Sequence, residues 1–144
     1  MSEQNVEALI ARGTLRRVEA DPGLARAELA TARKHLDTAE SSRDEDEVAA
    51  LAVAYEGARK AITAHMRARG LRAVGGEGAQ ARVGEYAQAA LDDPDLASHL
   101  RAFDRMRRLR NRSQYDALPV DDADVGYALE HARAIVEAVE ADLA

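Results

Sequence analysis

Apolar residues recur along this chain of 144 residues at spacings of three and four, the interval that keeps side chains on one face of an α-helix. Ala25, Leu29, Ala32, Leu36 and Ala39 form one stripe, and Val48, Leu51, Tyr55, Ala58, Ile62 and Met66 form a second. Others run through Ala79, Val83, Tyr86 and Ala90, through Leu96, Leu100, Phe103 and Met106, and from Val125 through Leu129, Ala132, Ile135 and Val139 to Leu143. The polar punctuation between them is equally informative. Asp21-Pro22 and Asp93-Pro94 each place an N-cap acceptor before a proline, whose missing N–H costs nothing in a first helical turn. The acids between Asp44 and Glu47 suit the positive end of a helix dipole. Gly13 and Gly70 suit left-handed helix ends, and Leu118-Pro119 with Asp121-Asp122 interrupts the chain before the last stripe. A short helix from Asn5 to Arg12 precedes them all. The pattern predicts an all-α fold: a single-domain antiparallel bundle of five main helices over residues 21–144, with residues 1–20 as an N-terminal arm or short helix.

Composition narrows the function classes. Aromatic residues are only 3 % of the chain, which disfavours modules that stack bases on aromatic platforms. The absence of cysteine excludes disulfides, thiolate metal sites and cysteine nucleophiles. There is no apolar run long enough to span a membrane, and residues 1–20 lack a signal-peptide pattern, so a cytoplasmic protein without membrane contact is expected. Val74-Gly75-Gly76-Glu77-Gly78 lacks the Lys-Ser/Thr of a phosphate-binding loop and reads as an interhelical connection. No carboxylate–histidine spacing suggests a metal, and no cofactor is expected. Arg59 and His65 have the spacing of an Arg-x5-His pattern, but on one unbroken helix they point about 240° apart.

Charge singles out one segment. The chain carries a net −6, yet residues 101–112 hold six arginines against one acid, Asp104. Such a local inversion marks a polyanion-binding face or a clamp onto an acidic neighbour. At about 100° per residue, Arg101, Arg105, Arg108 and Arg112 stack opposite the apolar stripe. They make a solvated row or a ridge for bidentate phosphate contacts. Arg110 falls within about 20° of Phe103, with Arg107 and Gln114 near the same line. An unpaired guanidinium is costly to bury, so Arg110 is expected to be paired, to sit in a cleft or to meet a second subunit. Asn111, Gln114, Tyr115 and Asp116 follow it with hydrogen-bonding groups suited to a phosphodiester and a sugar hydroxyl. None of these side chains ordinarily titrates near neutrality, as general acid–base work requires.

Arg110-Asn111, with Tyr115 four residues after Asn111, resembles the motif of the HEPN superfamily, small helical bundles whose active members are metal-independent ribonucleases. Ala54-Tyr55, the Gly70 break and the bundle-closing last helix extend the resemblance over most of the chain from Asp21 onward. The family motif is an arginine, a polar residue and, several residues later, a histidine; here Tyr115 stands at the histidine's place. The resemblance implies Arg110, Asn111 and Tyr115 as the catalytic positions or their degenerate remnant. Arg101, Arg105, Arg107, Arg108, Arg112 and Gln114 become the nucleic-acid contacts. A homodimer is expected, because Arg107, Arg110 and Gln114 extend a stripe that a monomer could not easily bury. The resemblance further implies RNA or a nucleotide as ligand and a nucleotidyltransferase or other antitoxin as partner, able to modify a motif tyrosine. Three functions are thereby open: an RNA- or nucleotide-binding module with a degenerate site, a protein-interaction bundle, and a ribonuclease in which Tyr115 replaces the histidine.

Overall fold

The computed structural model of the chain describes residues 2–115 and 119–144, the side chain of Tyr115 excepted. Its helices are α1 (Ser2–Ala11), α2 (Pro22–Ser42), α3 (Glu47–Ala68), α4 (Ala79–Ala90), α5 (Ala97–Tyr115) and α6 (Asp122–Asp142). The start signals act as their chemistry demands. Asp21 accepts from the Leu24 N–H at 3.0 Å and Asp46 from that of Ala49 at 3.0 Å. Asp121 and Asp124 close a reciprocal capping box at the head of α6.

The helix α3 is the centre of the bundle, flanked by α2, α5 and α6. Leu51, Tyr55, Ala58 and Ile62 are buried along one side, and so are Ala50, Ala54, Ala61 and Ala64 on others, as a helix surrounded by neighbours requires. Its small residues let partners come close. A Cβ added at Gly57 would meet Leu36 Cδ2 at 3.1 Å and the Ala32 carbonyl at 3.2 Å. Leu36, Ile62, Phe103, Met106, Leu129 and Ile135 complete the core, each large side chain contributing about 1.5–3 kcal/mol by its burial.

Three features depart from the periodicity. Val48 is 37 % exposed, because it lies in the first turn of α3, beyond the reach of its neighbours. The arginine helix starts at Ala97 rather than Pro94, since residues Pro94–Leu96 wind as a tighter 3-10 turn. The third is a two-stranded antiparallel ribbon, β1 (Leu15–Arg17) with β2 (Leu71–Ala73). Its register pairs Leu15 with Ala73, Arg16 with Arg72 and Arg17 with Leu71. Gly70, at φ +71°, turns the chain from α3 into β2, and its carbonyl accepts from the Val18 N–H at 2.9 Å. Through Val6, Leu9 and Leu15 the N-terminal segment shares the bundle's core.

Candidate nucleic-acid interface

The helix α5 sorts its arginines as the helical angle requires. Arg101, Arg105, Arg108 and Arg112 are exposed, while Leu100, Phe103 and Met106 are buried on the other side. Arg105 lies over the ring of Tyr127 from α6, 5.2 Å from its centroid, an attraction between cation and ring face.

Arg107 and Arg110 are half-buried, but they are held differently. Arg107 donates from Nε and Nη2 to Asp104 Oδ1 at 3.2 and 2.8 Å, one turn back on its own helix. The other oxygen of Asp104 lies 3.5 Å from Arg108. The inward line therefore loses one cation to a local pair. Arg110 is paired with no carboxylate among the described residues. Its Nη1 donates to Asn111 Oδ1 at 2.9 Å, its guanidinium lies 5.7 Å from the centroid of the Tyr55 ring, and its buried Nε has no hydrogen-bond partner. Ser113, buried behind it, donates back to the Arg110 carbonyl at 2.9 Å. Gln114, expected near the same line, is exposed in the last turn of α5. The side chain of Tyr115, and Asp116, lie outside the described residues.

Tyr55 is the residue that periodicity alone places in the core. Its ring stacks on Phe103 at 5.1 Å and 17°, and its hydroxyl donates to Gln80 Oε1 at 2.9 Å. Burial pushes its phenol up to about 12, against the opposing pull of Arg59, Arg107 and Arg110. Tyr55 is therefore a neutral, fixed platform beneath Arg110, under the influence of three guanidinium groups. A signal for this role is present in the sequence, because Ala54-Tyr55 belongs to the resemblance, but its meeting with Arg110 is non-local.

The histidines divide into two structural groups. His65 is fully buried, with Nδ1 2.7 Å from the Tyr86 hydroxyl and Nε2 against Asp142. Desolvation lowers its pKa, more than the Asp142 carboxylate raises it. Arg59 is held by Glu56 on its own helix, so the two ends of the Arg59–His65 spacing serve different contacts. His99 and His131 meet across α5 and α6, Nδ1 to Nδ1 at 2.8 Å, a pairing with no trace in the spacing. Among the described residues no group of three or more His, Cys, Asp or Glu side chains could hold a metal ion.

Comparison with known families adds the deciding observation: the HEPN domain matches residues 25–142. The chain belongs to the HEPN family. This agrees with a helical bundle in which the only sheet among the described residues is a ribbon of two three-residue strands. It associates the chain with nucleotide- and RNA-related function in general terms. No curated protein and no solved structure matches the chain significantly. The match begins at Ala25, after α1 and β1, and ends within the last residues of α6. Among the described residues, no helix of this HEPN domain is long and apolar enough to cross a membrane.

Proposed function

We propose that this HEPN domain binds RNA or a nucleotide around Arg110, at a ribonuclease site that has lost its histidine. The observation that carries the reading is the state of Arg110. It is half-buried, without a carboxylate among the described residues, steadied by Asn111 and the Tyr55 ring, and left with an unsatisfied Nε. A guanidinium held in this way is ready for a phosphate oxygen, with little side-chain freedom left to lose. The exposed row of Arg101, Arg105, Arg108 and Arg112 supplies salt-sensitive attraction along the same helix.

Cleavage is a separate matter. No histidine follows Arg110 at the spacing of the motif, and a tyrosine at Tyr115 is a poor base at neutral pH, its ordinary pKa being near 10. The reading is therefore binding with little or no turnover. It includes a homodimer in which two copies of Arg110 serve one ligand. It also includes a place in a toxin–antitoxin or defence pair, whose nucleotidyltransferase or other antitoxin would co-purify with the chain.

Arg110→Ala tests the site directly. The variant is expected to bind single-stranded RNA at least tenfold more weakly, with a salt slope shallower by about 0.7 for each phosphate it no longer neutralises. Titrations by fluorescence anisotropy across a salt series read both quantities. Unchanged affinity would remove Arg110 from the site and leave the protein-interaction bundle as the better reading.

A further inference from the structure

The ribbon holds a charge arrangement that the fold does not need. Arg16 and Arg72 are direct cross-strand partners, both exposed, on the face opposite buried Leu15 and Leu71. Directly opposed residues place their Cβ atoms about 5 Å apart, and like charges in that relation are destabilising. In a chain with 26 acidic residues, neither arginine side chain makes an ion pair or a hydrogen bond among the described residues. The neighbouring Arg17 does so, with Glu7. An anion between two such guanidinium groups turns their repulsion into a four-point clamp.

Arg72 also lines a cleft of about 990 Å³, walled by residues 18–22, the second half of α3, β2 and the head of α4. Arg59 and Arg67 line it too, paired with Glu56 and Glu28, and so do the carboxylates of Glu19 and Asp21, so Arg72 is the cleft's cation without a carboxylate partner among the described residues. Gln80 also lines the cleft and accepts the hydroxyl of Tyr55, whose ring underlies Arg110. From Tyr55 to Arg67 the route follows α3 for about 18 Å, the length of a few nucleotides. Met66, Leu71 and Val83 give the cleft an apolar wall, and Thr63 and Gln80 give it hydrogen-bonding groups.

We infer that the Arg16–Arg72 pair clamps a phosphodiester of single-stranded RNA, whose chain runs through this cleft from the Arg110 site. The clamp rests on the RNA-binding reading of Arg110 and extends it to a second, separate contact. Arg16, on β1, lies before the residues matched by the family, and Arg72 lies within them. A single strand is the class that fits, since a recessed, partly apolar cleft takes splayed nucleotides and a duplex keeps its bases paired and stacked.

The test compares labelled RNAs of about 4 and about 12 nucleotides between about 50 and 200 mM salt, with Arg16→Ala/Arg72→Ala, Arg110→Ala and a charge-matched control, Lys34→Ala/Arg133→Ala. The clamp variant is expected to bind the longer RNA about tenfold more weakly than the control, with a salt slope lower by about 0.7, and to bind the shorter RNA as the control does. If it matches the control on both lengths while Arg110→Ala weakens both, the clamp is wrong and the Arg110 site stands. Loss of longer-RNA binding in the clamp variant with none in Arg110→Ala overturns the Arg110 site and keeps the clamp. If the unmodified protein binds neither RNA, both fall. Arg16→Gln/Arg72→Gln, which preserves length and polarity, repeats the measurement should the alanine pair disturb the ribbon.

Discussion

Two buried phenols and a buried imidazole make the stability of this domain depend on pH from both sides. Burial pushes Tyr55 and Tyr86 up to about 12, so above pH 10 an unfolded chain sheds phenolic protons that the folded one keeps. Stability falls as pH rises from about 10 toward 12. On the acid side, desolvation lowers His65 and also His131, where His99 adds to the effect. As pH drops below the ordinary value of 6.5, the unfolded chain takes up protons that these rings refuse, and stability falls again. Urea midpoints measured across pH should form a plateau that slopes down at both ends. Tyr55→Phe should flatten the alkaline slope while costing about 1 kcal/mol for the missing bond to Gln80. An alkaline slope unchanged in Tyr55→Phe would show that this phenol titrates normally. At this scale the sequence is legible wherever one helix sets the geometry. The angular sorting of the α5 arginines is an example, and Arg107 finds its acid three residues away. It is illegible where two elements meet. Nothing in the spacing of Tyr55 and Arg110, or of His99 and His131, says that they touch.

Among the elements, the joint between α3 and β2 is the most tightly constrained. A Cβ at Gly70 would lie 2.7 Å from the Val18 carbonyl, on a backbone at φ +71°. Gly70→Ala should therefore cost about 1–3 kcal/mol and loosen the ribbon, because neither strand backbone can retreat without breaking its ladder. Gly13 has a similar φ of +81° but open space around it. Gly13→Ala should cost only the left-handed penalty, about 1 kcal/mol. Thermal melting of the two variants, followed by circular dichroism, compares them. Equal losses would mean that the approach to Val18 carries no weight. Both glycines are recognisable as helix ends from sequence. The strands are not, because three residues are too few for an alternating pattern to rise above chance. The five main helices are legible because each repeats its stripe over three or more turns.

For the whole molecule, the number of copies that make one site decides how a ligand is held. The expectation of a dimer rests on a stripe of Arg107, Arg110 and Gln114 that one chain could not satisfy. In the fold that demand is smaller, because Asp104 takes Arg107 and Gln114 reaches the surface. Of these three, Arg110 still has a buried nitrogen without a partner among the described residues. Sedimentation is expected to show a dimer whose dissociation constant shifts with Arg110→Ala more than with Arg108→Ala. A monomer at all accessible concentrations would confine the RNA contacts to one chain. The ribbon has a consequence of another kind. It joins Leu15 to Ala73 across the whole of α2 and α3. Contacts that far apart in sequence close late, after the local hairpin of helices has removed most of the search. Folding should therefore proceed in two stages, with residues 2–17 arriving last and leaving first. Amide exchange at Val18 and Val74 would then report that outer stage, well before the interior of α3 opens.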